Sequence, residues 1–350
     1  MSKLISEILE HHQIEASAPC RIDSGGTWDI KSLALPMERL RPATINIALT
    51  LRTRVRLFPF EESRVMISSE GFSRKEEHSF NNLPFDSTFG LFFAAIAYFG
   101  FHGLRVHIQA ESPVKSALGG SSTALIALIK ALSKVGFILG KKRWTKNEML
   151  HLGYHLEDGV SRGKCGIQDQ AAAVYGGVNR WLWHYGERRG SFERKSLLDR
   201  NGQRELSKHL LVAFSGKSHV SSRINRTWIQ DFLSGRTRAG WIKVNDIVKD
   251  LEKAFVDQDW DKASRLLRDE MALRREITPA ALIPVTEKLV DQAERAGFGA
   301  RFAGAGAGGS VWALGPAGKL QDLRKTWEST LAPNKKAGIL DCAVDPKGTR

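Results

Sequence analysis

Pro113-Val114-Lys115-Ser116-Ala117-Leu118-Gly119-Gly120-Ser121-Ser122-Thr123 lies between two different periodicities. Upstream, Leu104-Arg105-Val106-His107-Ile108 alternates apolar and polar residues as a strand with one buried face does, and Pro113 stops that strand. Downstream, Ala124, Leu125, Leu128, Ala131, Leu132 and Val135 recur at helical spacing, leaving Lys130 and Lys134 for another face. The order is strand, glycine loop, helix. Glycines let backbone N–H groups approach phosphate oxygens, the helix start offers unpaired donors and the positive end of its dipole, and Ser or Thr hydroxyls can ligate Mg²⁺. Spacing alone fits a serine-capped helix after a glycine turn equally well. A Walker A loop is disfavoured, because no Lys follows Gly119-Gly120.

Working outward, residues 44–57 place Ile45, Ile47, Leu49, Leu51, Val55 and Leu57 on one parity, which predicts a strand. A short polar leader precedes residue 44, and its residues 1–10 carry acids and no long apolar run. Thr145 with Glu148 three residues on forms a capping box that opens a helix running towards Glu157, and residues 161–166 break it. The stretch 186–208 is polar and basic, and the apolar run 210–214 follows. We place a domain boundary there, giving 1–207 and 208–350. Helical patterns then dominate to about Arg295. Gly304-Ala305-Gly306-Ala307-Gly308-Gly309 satisfies GxGxxG by count, but Ser310-Val311-Trp312-Ala313-Leu314 reads as a strand where a dinucleotide fingerprint needs a helix. The chain has no internal repeat and no low-complexity tract.

A chain of 350 residues with 42% hydrophobic and 26% charged residues can bury one large or two closely packed cores, and it is not of disordered composition. The 52 Lys and Arg against 38 Asp and Glu leave a formal charge of +14, which favours anionic partners: nucleotides, sugar phosphates or nucleic acid. No RNP, zinc-finger or basic-helix signature accompanies that charge, so nucleic acid is not expected as a partner. Cys20, Cys165 and Cys342 are far apart and lack CxxC spacing, which argues against a disulfide framework and for a reducing compartment. Nowhere do about 18 uncharged apolar residues run in succession, so no membrane span is expected and the protein is read as cytoplasmic. Oligomeric state is not legible.

Residues 113–122 resemble the second motif of the GHMP kinases, named for galactokinase, homoserine kinase, mevalonate kinase and phosphomevalonate kinase, which reads Pro-x-x-x-Gly-Leu-Gly-Ser-Ser. Ala18-Pro19-Cys20-Arg21-Ile22-Asp23-Ser24-Gly25-Gly26-Thr27-Trp28-Asp29 is similar to the first motif and residues 302–309 to the last. Cys165-Gly166-Ile167-Gln168-Asp169-Gln170, with Tyr175-Gly176-Gly177-Val178-Asn179, resembles the catalytic segment of the galactokinase, heptose-phosphate kinase and fucokinase branch. The resemblance spans residues 16–314. Ala117 replaces the usual Gly, Gly120 replaces a frequent Ser, and the first motif is one residue shorter than in sugar kinases. The implied fold is α+β with two domains, an N-terminal ribosomal-protein-S5-like domain and a C-terminal ferredoxin-like α/β domain, and the active site in the cleft between them.

Phosphoryl transfer asks mainly for positioning and charge neutralisation. The resemblance makes Asp169 the carboxylate that orients or deprotonates the acceptor hydroxyl, and Arg21 its partner. A guanidinium beside a carboxylate favours the charged form, so positioning is expected to matter at least as much as proton abstraction. Ser116, Ala117, Leu118, Gly119, Gly120, Ser121, Ser122 and Thr123 are expected around the ATP phosphates. Ser121 aligns with the metal-ligand serine, Ser122 is the adjacent candidate, and Glu157 aligns with the second Mg²⁺ ligand. Asp23, Gly26, Trp28, Asp29, Gly177 and Gly306 are expected at the acceptor, with Trp28 stacking on a sugar face or simply packing. His151 and His155, without an HExxH pattern, read as structural, and Cys165 has no base placed near it. The expected activity is transfer of the γ-phosphate of MgATP to a monosaccharide or sugar phosphate. Alternatives are a kinase of mevalonate-like alcohols and a silent regulator that keeps the fold.

Overall fold

The computed structural model describes every residue except Met1, 187–189, 191, 219 and 220, with only the backbone for 2, 3 and 221–223. Its first half contains α1 (Ser2–His11), β1 (Ile14–Ser24), α2 (Lys31–Ala34), β2 (Ala43–Pro59), β3 (Arg64–Ser69), β4 (Glu76–Ser79), α3 (Gly90–Phe99) and β5 (Leu104–Ala110). It continues through α4 (Gly120–Ile138), α5 (Lys146–Ser161), α6 (Gln168–Tyr175), β6 (Val178–Trp183), β7 (Phe192–Ser196) and α7 (Arg200–Ser207). The second half holds β8 (Leu210–Phe214), α8 (Ser221–Leu233), α9 (Arg238–Val256), α10 (Trp260–Ile277), α11 (Pro284–Arg295), β9 (Gly299–Phe302), β10 (Ser310–Leu314), α12 (Leu320–Leu331) and β11 (Gly338–Ile339).

The long alternating strand read from the sequence becomes β2, the spine of a seven-stranded sheet. It pairs with β1 along one edge, while residues 53–59 pair with β5 and residues 43–47 with β6 on the other. The alternation holds only in its outer half. Residues 43–49 are buried on both faces, because the second half of the chain covers that end and Asn245 of α9 accepts the Ala43 N–H at 2.9 Å. The four strands of the second sheet run in the order β11-β8-β10-β9, all antiparallel neighbours. The loop at 304–309 joins β9 to β10, which excludes a dinucleotide fold as the sequence implied.

One core lies between the first sheet and α3–α6, one lies in the second half and takes in Trp28, Ile30 and Leu33, and a third lies at the junction and includes Leu118, Val178 and Val248. Helix α4 is apolar and long enough to cross a membrane by length and composition, but most of it is buried in the first core. The α5 capping box forms: Thr145 Oγ1 accepts the Glu148 N–H at 3.2 Å and Glu148 Oε2 accepts the Thr145 N–H at 2.8 Å.

One expectation changes. The polar leader holds the amphipathic helix α1, which buries Ile5, Ile8 and Leu9, and the buried strand β1. The polar stretch 186–208 carries β7, largely exposed on the sheet edge, and the short α7, which buries Gly202, Gln203 and Leu206. Residues 343–350 also return from the second half to the first sheet. There the Asp345 N–H donates to the Ala48 carbonyl, the Gly177 N–H donates to the Asp345 carbonyl, and Ser17 and Arg350 exchange backbone bonds. Arg52 of β2 pairs with the Asp345 carboxylate.

Candidate functional site

The loop before α4 folds back on β1. The Arg21 N–H donates to the Leu118 carbonyl at 3.1 Å, and Arg21 Nη1 donates to the Ala117 carbonyl at 2.7 Å. Lys115, Ala117 and Gly119 all adopt positive φ (57°, 64° and 77°), which turns the chain tightly into the helix. Gly119 is the N-cap and supplies no side-chain cap, so the first N–H groups of α4 have no side-chain acceptor. Such a helix start favours anions.

The opposite wall comes from α5 and α6. Arg21 Nε donates to Asp169 Oδ1 at 2.7 Å, and its Nη2 lies 2.6 Å from the same oxygen. Burial alone would lower the pKa of Arg21, but the charges of Asp169 and Asp23 outweigh it and raise it. A Cβ on Gly119 would sit 3.2 Å from Asp169 Oδ2, so the carboxylate faces the start of α4 directly. Ser122 Oγ donates to Glu157 Oε2 at 2.7 Å, and Gln170 Nε2 donates to the same oxygen at 2.6 Å. Burial pushes the Glu157 carboxyl up to about 7 against the Ser122 hydrogen bond, with the nearby Asp169 charge adding to the rise. Asp29 is also pushed up to about 7 by burial, although the Gln168 N–H stabilises its charged form. Its Oδ1 and Oδ2 accept the Thr27 and Gln168 N–H groups at 3.1 and 3.0 Å.

Arg21, Asp29, Ser121, Ser122, Glu157 and Asp169, spread over 149 positions of sequence, border one cavity of about 510 Å³. Ser116, Ala117, Gly119 and Gly120 border it too. Its apolar end is formed by Phe72, Phe89, Phe92, Ile108 and Val114.

Other expected site residues lie elsewhere. Trp28 has no face for a ligand: it is fully buried, its Nε1 donates to the Trp241 carbonyl at 3.0 Å, and it packs edge-on against Phe232 and Trp241. Leu118 is core, and Thr123 Oγ1 donates to the Gly119 carbonyl at 2.8 Å; neither borders the cavity. Asp23 is buried behind Arg21, where its Oδ1 accepts the Gly304 N–H at 2.7 Å. Gly26 packs on Asp23, since a Cβ there would lie 2.3 Å from Asp23 Oδ2. Gly177 serves the C-terminal return rather than the cavity. Gly306 abuts the Ala281 carbonyl, and Gly304 and Ala305 border the cavity in its place. Ser121 is exposed, so the serine joined to Glu157 is Ser122. His151 and His155 bond ring to ring at 3.0 Å outside the cavity. The Cys165 thiol is pushed well up by burial and the nearby Glu157 charge, which makes it a poor nucleophile.

Several neighbours were not singled out from sequence. Trp228 and Asn225 of α8 reach the cavity, and Asn225 Nδ2 donates to the Lys164 carbonyl at 3.1 Å. Lys115 and Lys164 border it without an ion pair among the described residues. Glu270 and Arg301 are fully buried charges behind Asp23, with Arg301 Nη2 3.4 Å from Asp23 Oδ2 and Arg301 Nη1 2.7 Å from Glu270 Oε1. Nothing local marks Asn225, Trp228, Glu270 or Arg301 as distinct from an ordinary helix or strand residue, and the two lysines lie in loops where a solvated cation is ordinary.

Comparison with known proteins agrees with this geometry. Residues 88–177 match the GHMP kinases N terminal domain, and residues 251–332 match the GHMP kinases C terminal domain. A mevalonate kinase of Methanocaldococcus jannaschii is 26% identical over 227 residues, 64% of this chain and 65% of the relative, so the match spans less than two thirds of that protein. The galactokinase of Lactococcus lactis, solved with galactose, superposes with a TM-score of 0.71 at 18% identity, covering 99% of this chain and 98% of that one. A phosphomevalonate kinase of Streptococcus pneumoniae superposes with a TM-score of 0.75 at 15% identity, covering 95% and 100%. With its helix-capping glycine loop facing a carboxylate pair across one cavity, and both family domains in order, this chain is a GHMP kinase family member with the two-domain GHMP kinase fold.

Proposed function

We propose that this chain transfers the γ-phosphate of MgATP to a hydroxyl, the anomeric one, of a monosaccharide or sugar phosphate. The observation that carries the proposal is the placement of Asp169 between the Arg21 guanidinium and the open start of α4, in one cavity with Ser122 and Glu157. Phosphate oxygens would accept the free N–H groups of α4 and its preceding loop, with the purine against the apolar end of the cavity. Asp169 would hold the acceptor hydroxyl in line, and Arg21 would fix the orientation of Asp169 and offset charge on the moving group.

The Ser122 hydroxyl and Glu157 carboxylate are oxygen donors suited to a hard cation, and a buried carboxylate whose pKa is raised gains from one. When bound with ATP, Mg²⁺ neutralises charge on the phosphate oxygens. Ser122 and Glu157 would hold it, with Ser121 turned to the phosphates.

The sugar reading rests on Arg21 and on residues 166–170, and the cations Lys115 and Lys164 suit an acceptor that already carries phosphate. A second reading, a kinase of a mevalonate-like alcohol, is favoured by the 26% identity to a mevalonate kinase. The same proposal divides the chain into 1–207 and 208–350, the latter lending residues 343–350 to the first sheet.

The test is coupled ADP release with D-galactose, L-fucose, heptose 7-phosphate, mevalonate and homoserine as acceptors. Turnover on a sugar supports the proposal, turnover on mevalonate alone supports the second reading, and ATP binding without ADP release on any acceptor identifies a silent regulator. Asp169→Asn is expected to lower kcat by at least about a hundredfold and Arg21→Ala by about tenfold or more. Near-normal turnover in Asp169→Asn removes that carboxylate from the mechanism.

A further inference from the structure

Behind the cavity wall five charges alternate in sign. Asp169 meets Arg21 at 2.6 Å, Arg21 Nη1 meets Asp23 Oδ1 at 3.7 Å, Asp23 Oδ2 meets Arg301 Nη2 at 3.4 Å, and Arg301 Nη1 meets Glu270 Oε1 at 2.7 Å. The far end is anchored. Ser24 Oγ donates to Glu270 Oε2 at 2.5 Å, the Gly25 N–H donates to Glu270 Oε1 at 3.0 Å, and Arg301 Nε donates to the Phe302 carbonyl at 3.0 Å. The side chains of Asp23, Arg301 and Glu270 have no exposure at all, that of Arg21 has 5%, and that of Asp169 has 24%. The row begins in α6, crosses β1, and ends on β9 and α10, so it joins both sheets.

We infer that Glu270 and Arg301, which do not border the cavity, are positioning residues that set the orientation of Arg21 and hence of Asp169. The inference rests on the role proposed above for Asp169.

Behind Asp169 the row is shut off from water, so solvent and salt screen little there, and Arg21, Asp23 and Arg301 each settle where their two neighbours balance. Arg21 is shared between Asp169 and Asp23, and Asp23 between Arg21 and Arg301. Asp23 Oδ2 and Arg301 Nη2 make no hydrogen bond, so this link is held by charge alone and is the one that yields when the balance changes. Asp23 Oδ1 also holds the Gly304 N–H, so displacing Asp23 moves the cavity border together with Arg21. A third buried cation, Arg274, lies over Trp228, Trp241 and Phe302 with both Nη atoms unpartnered. Among the described residues Glu270 is therefore the anion that offsets Arg301 and Arg274 on the side away from the cavity. Removing it leaves two cations drawing on Asp23, which then loosens its hold on Arg21. Removing the Arg301 charge leaves Asp23 to pull Arg21 away from Asp169.

The experiment measures kcat and the KM for ATP of Glu270→Gln, Arg301→Gln, the double variant and Arg301→Lys. It uses MgATP and whichever of D-galactose, L-fucose or heptose 7-phosphate turns over fastest. Each neutralised single variant is expected to lose about tenfold in kcat with the KM for ATP within about twofold, because the start of α4 is untouched. The double variant restores neutrality and is expected to recover at least about threefold, and Arg301→Lys, which keeps the charge, to retain more kcat than Arg301→Gln. Wild-type kcat in both single variants, or a double variant no better than the worse single, overturns the inference. Should one neutralised single variant fail to fold, the other decides: lowered kcat at unchanged KM for ATP supports the positioning role and wild-type kcat overturns it. Wild-type turnover in Asp169→Asn instead strikes only at the role of Asp169, and the absence of ADP release from the unaltered protein strikes at the kinase reading.

Discussion

The loop at 116–120 and the loop at 304–309 are alike in composition, and they touch: a Cβ on Gly304 would lie 3.1 Å from the Ala117 carbonyl oxygen. Their surroundings differ. The first ends in a 19-residue helix and leaves backbone donors facing the cavity, whereas the second joins two antiparallel strands and is pressed against its neighbours. A Cβ on Gly309 would come within 2.6 Å of the Ala117 Cβ and 2.8 Å of the Ser116 carbonyl oxygen. In the first loop small residues keep N–H groups accessible; in the second they let one backbone lie on another. Similar sequence is thus put to two physical uses, one chemical and one mechanical, and only the element that follows each loop distinguishes them.

The comparison breaks most visibly at Gly309. Its φ of +71° and its backbone contacts leave no room for a side chain, so Gly309→Val is expected to lower stability by about 4 kcal/mol. Urea unfolding measures this, and a loss under about 1 kcal/mol would mean that the second loop is no buttress. Next in size is an effect beside the helix that the first loop opens. Burial holds the carboxyl of Glu157, bonded to Ser122, at about 7 in the fold, above its ordinary 4.5. A raised carboxylate stabilises the fold below its unfolded pKa and loses that contribution as pH climbs through the folded one. Without Mg²⁺, stability should therefore fall by up to about 3 kcal/mol between about pH 4.5 and 7, and Glu157→Gln should flatten the slope. Thermal melts across that range check it, and an unchanged slope in the variant would assign the titration elsewhere.

Gly119→Ala sharpens the same contrast. At φ +77° it is expected to cost about 1–2 kcal/mol. Because its Cβ would press on the Asp169 carboxylate, kcat should fall by about tenfold, more than stability alone explains. The smallest effect is at Ala117, whose φ is +64°. Ala117→Gly relieves left-handed strain while loosening the unfolded chain, for a net gain of about 0.5 kcal/mol in chemical denaturation.

What could be read in advance followed from local chemistry. Strand β2, helix α4, the α5 cap and both glycine turns announce themselves through period and punctuation over a few residues. Strand β1 does not, because its last seven residues are buried whichever face they occupy and so show no alternation. Arg21, Asp169 and Glu157 were legible only through resemblance, since their meeting needs β1, α5 and α6 to converge. Glu270, Arg301 and Trp228 sit in segments that read as routine helix and strand, and their meaning arises from distant contacts, such as those of Glu270 with Ser24, 246 positions away, and of Arg301 with Asp23, farther still. Trp28 was open for the converse reason: an aromatic beside acids can be a sugar platform or core, and only its contacts with Trp241 and Phe232 decide for packing.

Residues 343–350 tie the order of synthesis to the order of folding. The sheet that carries Arg21 lacks its partners for Gly177, Ala48 and Ser17 until the entire second half has been made, and Arg52 waits for an ion 293 positions ahead. A nascent first half is therefore held open, with its edge unfilled, through most of translation, and its last contacts close slowly because they span so much chain.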